Sequence, residues 1–293
     1  FNAFAVATGN LYINIGALLR MRNEAELAAV LGHEGGHVLK DHTYRQVRSS
    51  KAMGVVGTIL SAGLVAGIGI DPGLGAIASY SSMAGFSRDH ERESDRVGFE
   101  RMVAAGYDPQ AGARIFDRMA REIQAREIKQ GPYFFASHPR LQERVESYNE
   151  LARNAPAGMT RRDEYVAATQ AARLAALDAI VAGKNGVELA FVLSQDDLAS
   201  ELAPAGLFAL GEGYRLRNQP GDEQLAVTEY RSCIERFPSY APAWGALGRY
   251  YARRGNKNAA IEHLQRFLAL APDAKEAPFA RQTLQRLENE VTQ

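Results

Sequence analysis

His33 and His37 stand four residues apart, and Glu34 directly follows the first, giving H-E-x-x-H within Leu31-Gly32-His33-Glu34-Gly35-Gly36-His37-Val38. On an α-helix, residues four apart share one face, so this stretch can aim two imidazoles at one metal ion. Glu34 lies about 100° further round the helix and reaches the outer side of that ion. Zinc suits such nitrogen and oxygen ligands, and a catalytic zinc keeps one position open for water, whose pKa falls to about 7. A carboxylate beside that water can take its proton as it attacks a polarised carbonyl. The pattern constrains the fold because it works only on a helix. The residues ahead of it supply one. Asn23 caps the start, Glu24 and Glu26 occupy the positive first turn, and Leu27, Val30 and Leu31 give helical periodicity. Gly35 and Gly36 cut against this, at roughly 1 kcal/mol each relative to alanine. Two such residues predict close packing there, or a helix held by its metal and its neighbours.

A third ligand must come from elsewhere. Glu91 and Asp95, in Ser87-Arg88-Asp89-His90-Glu91-Arg92-Glu93-Ser94-Asp95, are again four apart and share one face of a second predicted helix. Glu91 completes a two-His, one-carboxylate set. Asp95 is placed to accept the second ring N–H of a ligating histidine. Glu93 lies about 200° from Glu91 and points elsewhere.

With these pieces in order, the chain resembles the zinc endopeptidase family of the CAAX prenyl endopeptidases, HtpX and the periplasmic BepA-type proteases. Four stretches carry the resemblance: Asn2-Ala3-Phe4-Ala5 with Leu11 to Leu19, Asn23 to His37, Glu91 to Asp95, and Ser137-His138-Pro139 with Arg144. Together they cover about half the chain. The resemblance implies one zinc per chain held by His33, His37 and Glu91, with Glu34 as general base. It places His138 and Arg144 by the open face of the metal, where they stabilise an oxyanion or gate the site. The departures are Gly35-Gly36, where the family has larger residues, and Thr8-Gly9-Asn10, where it has a Pro-Gly-Gly turn. Neither removes a ligand.

The chain has 293 residues, enough for two domains, and 34 basic residues balance 34 acidic ones, so nothing argues for nucleic acid as a partner. The single cysteine, Cys233, excludes an internal disulfide and a cysteine-rich zinc site. The chain begins at Phe1 inside a strand motif, so upstream residues are expected to be missing. Residues 1–20 read as a β-hairpin: Phe4, Val6, Leu11, Ile13 and Ile15 alternate about a Gly9-Asn10 turn. Such an edge can pair with an extended peptide or simply cover the metal helix. His42 follows His37 by five residues and reads as a surface residue. Residues 52–70 carry no charge, and the apolar character continues to Phe86. Three readings fit: a buried helical hairpin over the site, a peripheral membrane contact through 52–86, or a span. Helices are predicted over 89–105, 110–130 and 141–153. Tyr133-Phe134-Phe135, ahead of His138, reads either as core or as the lining of an apolar subsite. Pro156 and Gly158 mark a boundary.

Beyond it the chain reads as helix. Residues 161–200 hold two helices broken at Gly183-Lys184-Asn185-Gly186 and carry no visible chemistry. Trp244, Leu247, Gly248, Tyr251, Ala260 and Pro272 sit at tetratricopeptide offsets, and Pro238 precedes Pro272 by one 34-residue period. Leu210, Gly211, Tyr214, Ala226, Tyr230 and Pro238 form an earlier copy, and Cys233 falls where such repeats want a small packing residue. Residues 275–290 read as a capping helix.

The expected fold is mainly α: an α+β zincin-like peptidase domain over 1–157 with a small hairpin, connector helices over 158–203, and tetratricopeptide-like repeats over 204–293. The expected function is zinc-dependent cleavage of unfolded or misassembled proteins, with protein substrates and a further protein partner on the repeat surface. By resemblance the setting is the bacterial periplasm or envelope. The alternatives are a chaperone or adaptor whose zinc site is closed, with His138 in the fourth position, and a membrane-embedded processing enzyme.

Overall fold

A computed structural model describes residues 2–5, 9–42, 45, 86–128 and 141–292. The expectations for residues 52–70, for the aromatic run 133–135 and for His138 fall outside these residues. Among the described residues the fold is mainly α, with one two-stranded sheet. Packing divides the chain into two compact units, residues 1–176 and 177–293.

In the first unit β1 (Ala3–Ala5) pairs antiparallel with β2 (Leu11–Ile13), Ala3 opposite Ile13 and Ala5 opposite Leu11. The second strand ends sooner than the alternation suggested. Asn14 accepts a hydrogen bond from the Gly16 amide at 2.7 Å and starts α1 (Ile15–Arg20), so Ile15 is helical. A local side-chain cap outcompetes the period-two pattern there. Asn23 caps α2 (Glu24–Leu39) through the Glu26 amide at 3.0 Å, as its position in the sequence suggested. Ser87 does the same for α3 (Arg88–Ala104). Next come α4 (Ala111–Ala125) and α5 (Leu141–Ala152). The helix expected to reach residue 130 stops at Ala125, with Glu127 in the left-handed region at φ 49°. The core joins Met21, Ala25, Ala29 and Val30 to Phe99, Met102, Ile115, Phe116, Met119 and Tyr148. Buried charges are paired within it: Arg20 grips both Glu122 oxygens at 2.6 Å, and Arg118 reaches Glu26 at 2.8 Å. The segment around Gly158 packs on Tyr107, and Met159 exchanges backbone hydrogen bonds with Gly106 and Asp108.

The approach of α2 to α3 is what positions the site. A Cβ added to Gly98 would stand 2.6 Å from the Gly32 carbonyl carbon and 2.7 Å from the His33 nitrogen. A Cβ on Gly36 would meet Ser94 Cα at 2.8 Å. The two helices thus touch backbone to backbone at two points one turn apart. Gly36 shows the close packing its cost implied. Gly35 does not, since nothing lies within 4 Å of its added Cβ. Two substitutions should therefore diverge. Gly98→Ala forces the helices apart and should cost about 1–3 kcal/mol. Gly35→Ala should stabilise by up to roughly 1 kcal/mol through helix propensity. Urea denaturation of the two variants would expose an error in this packing if the midpoints moved the same way.

α6 (Arg162–Ala182) spans the division between the units. The second unit continues through α7 (Gly186–Leu193), α8 (Leu198–Glu201), α9 (Ala205–Arg217), α10 (Asp222–Arg236), α11 (Ala241–Arg253), α12 (Lys257–Leu270) and α13 (Ala277–Thr292). Phe208 and Tyr214 of α9 pack with Ala226, Val227 and Tyr230 of α10, and Gly211 admits the Tyr230 ring. Ala260, Leu264 and Phe267 of α12 pack with Ala277, Ala280 and Leu287 of α13. Cys233 is fully buried, and burial pushes its thiol up to about 11, consistent with a packing role.

Candidate metal centre

The close approach at Gly32, Gly36, Ser94 and Gly98 sets the inward faces of α2 and α3 against each other. His33 and His37 on one helix then face Glu91 and Asp95 on the other, all four buried. His33, His37 and Glu91 offer ligand atoms that lie within 4.8 Å of one another. The two Nε2 atoms are 3.1 Å apart. The Glu91 carboxylate oxygens lie 3.3 Å from His37 Nε2 and 3.7 Å from His33 Nε2. Ligands at 2.0–2.1 Å from a tetrahedral zinc stand roughly 3.3 Å from one another. Two imidazole nitrogens and a carboxylate at these separations fit zinc in both donor chemistry and spacing.

Around these donors sits an outer layer. Asp95 Oδ1 accepts from His33 Nδ1 at 2.8 Å, which commits His33 Nε2 to the lone-pair form a metal needs. Burial alone would raise the Asp95 carboxyl. The Arg144 guanidinium and His33 outweigh that and hold it below the ordinary aspartate value. Arg144 donates to Asp95 through Nε and Nη2, at 2.7 Å for Nη2 to Oδ1, and its Nη1 lies 3.9 Å from Glu91. Burial by itself would lower the Arg144 pKa; Asp95 and Glu91 raise it, so the group is always charged. It rests 3.8 Å above the Phe116 ring and is 3 % exposed. Arg144, which the resemblance set by the open face, is engaged on Asp95 and lies close to Glu91. Glu34, one residue after His33, is 3 % exposed.

The expectation for His42 is corrected. It is fully buried, its Nδ1 is 3.1 Å from His37 Nδ1, and its Nε2 is 3.1 Å from Glu93 Oε2. The wheel that turned it outward assumed a continuing helix. α2 ends at Leu39, and Asp41 adopts φ 54°, which folds His42 back over His37. Glu93 does turn away from the donors, and it does so to meet His42 and Lys40. His90 stacks on His42 with ring centroids 4.2 Å apart, and Phe86 stacks on His37 at 3.9 Å. Sequence reasoning passed over Phe86 and His90 and misread His42. The available signal was clustering, since four of the six histidines fall on or just after the two helices that carry the motifs.

Residues 1–152 match the sequence pattern of peptidase family M48. Similar proteins include the beta-barrel assembly-enhancing protease of Escherichia coli K12, 31 % identical over 151 residues, 49 % of this chain and 31 % of the relative. Metalloprotease YcaL of the same strain is 32 % identical over 147 residues, 50 % of this chain and 56 % of the relative. The mitochondrial metalloendopeptidase OMA1 of Schizosaccharomyces pombe is 26 % identical over 149 residues, 51 % of this chain and 43 % of the relative. The matched segment spans only about a third to just over half of these relatives. Residues 1–152 contain both helices of the candidate centre and Arg144. A family pattern that takes in more than half of the 293 residues, with the whole donor set inside it, means that the chain belongs to peptidase family M48.

Proposed function

We propose that this chain is a zinc-dependent endopeptidase acting on unfolded or misassembled proteins in the bacterial envelope. One observation carries the reading: two buried imidazole nitrogens and a buried carboxylate spaced 3.1–3.7 Å apart across α2 and α3. Zinc, when bound, supplies Lewis acidity that polarises a peptide carbonyl and acidifies water. The rest is the work of the chain's own residues. Glu34 takes a proton from the attacking water and returns it to the departing amine. Asp95 fixes the tautomer of His33. Arg144 keeps Asp95 ionised and in place, acting as a positioning residue. The exposed Leu11 and Tyr12 on β2 offer a strand edge to extended peptides, which favours unfolded over folded substrates.

The envelope setting is supported by the resemblance to BepA-type proteases and by relatives named beta-barrel assembly-enhancing protease. Misassembled outer-membrane proteins are the substrates this suggests. No helix among the described residues is long and apolar enough to cross a membrane. The helix pairs of the second unit act in this reading as tetratricopeptide-like repeats that hold substrate or a partner. A cleft of about 320 Å³ between α9, α10 and α11, lined by Tyr214, Arg215, Tyr230, Arg249 and Tyr250, is one surface for that role.

Casein cleavage by the purified chain tests the chemistry. Activity should disappear on treatment with a metal chelator and return with one equivalent of zinc. A protein that holds one zinc per chain and leaves casein intact would overturn the peptidase reading in favour of the adaptor.

A further inference from the structure

We infer that His42, backed by Glu93, is the positioning residue of His37: it accepts the His37 Nδ1–H and so commits His37 Nε2 to the metal. This rests on the reading of His33, His37 and Glu91 as the metal ligands.

The contacts give the direction of each hydrogen bond. An ionised carboxylate only accepts, so the 3.1 Å contact with Glu93 Oε2 requires the proton of His42 on Nε2. His42 is fully buried among the rings of His37, His90 and Phe86. Nδ1 of a neutral imidazole protonated on Nε2 is a lone pair, and it faces His37 Nδ1 at 3.1 Å. The bond between them can form only if His37 donates. His37 Nε2 then carries a lone pair aimed at Nε2 of His33, whose own Nδ1 proton goes to Asp95. Both ligands thus present lone pairs to one point from 3.1 Å apart, an arrangement that a shared cation makes favourable.

Other contacts hold His42 in this role. The His90 ring lies against it at 19° to its plane, and Ser94 Oγ, at 3.2 Å from His42 Nδ1, can donate to the same lone pair. Asp95 serves His33 from α3. His42 serves His37 from beyond the end of α2. Each histidine of the set therefore has its own acceptor, one a carboxylate and one an imidazole passing on the charge of Glu93.

The test is the zinc dissociation constant of the full chain, stripped of metal and titrated against a chromogenic chelator. His42→Phe keeps a ring and removes both nitrogens; it should weaken zinc binding about 10–100-fold. His42→Asn returns an amide oxygen near the position of Nδ1 and should recover most of that loss. Glu93→Ala, at a partly exposed position that folding tolerates, should weaken binding severalfold even if the Phe variant does not fold. Wild-type affinity in His42→Phe or in Glu93→Ala would overturn the inference. So would an Asn variant as weak as the Phe variant, because shape alone would then explain the loss. His37→Ala separates the two levels of the argument. If it binds zinc as tightly as wild type, the metal centre itself is wrong. If it fails to bind while the His42 and Glu93 variants are unaffected, only the positioning role falls.

Discussion

Glu34→Gln should retain one zinc per chain and lose peptide cleavage by about 10²–10⁴-fold, the usual contribution of a positioned general base. The substitution is nearly isosteric, and Glu34 is not among the proposed ligands. Packing at a 3 % exposed position, and the helix that carries it, should therefore survive. What disappears is a group able to take a proton at neutral pH. Because that transfer belongs to the transition state, the loss should fall on kcat with KM little changed. Turnover of a quenched peptide, read beside metal content, checks both halves. A Gln variant that keeps zinc and cleaves at the wild-type rate would remove Glu34 from the mechanism. A variant that loses zinc would make it a structural element of the site.

Arg144→Leu should cost about 3–5 kcal/mol of folding stability, because it leaves the Asp95 carboxylate buried without its cation. Asp95 is 1 % exposed and receives two arms of the guanidinium. Leucine keeps apolar contact with Phe116 but supplies no donor. The double variant Asp95→Asn with Arg144→Leu should recover a substantial part of the loss, since the stranded charge goes too. Denaturant melts of the metal-free single and double variants give the coupling. Additive losses would show that Arg144 matters only for its bulk.

The side chains that meet across α2 and α3 were legible because helical spacing is a local rule. His33 with His37 and Glu91 with Asp95 each need only one turn of regular helix to share a face, and caps at Asn23 and Ser87 guarantee that turn. The same logic failed as soon as regularity ended. His42 was misplaced because α2 ends at Leu39 and Asp41 takes a left-handed conformation, so the helical wheel no longer applies. Ile15 continued an alternating pattern, yet the Asn14 side chain had already started a helix. Arg144 was tied to the metal region by resemblance. Its grip on Asp95 is a long-range contact between residues 49 apart, which no local pattern encodes. The glycines were half legible. Helix propensity showed that Gly35 and Gly36 are costly, but only the facing helix shows which of them relieves a clash.

Where α2 meets α3, main chain rests on main chain at Gly32, Gly36, Ser94 and Gly98. Contacts of that kind have no rotamers, so the distance between the helices is a property of the fold and does not adjust to the ion. Loading should resemble a key entering a finished lock, with little heat-capacity change and nearly unchanged amide spectra. An ion of the wrong radius would meet a jaw that cannot widen to accept it.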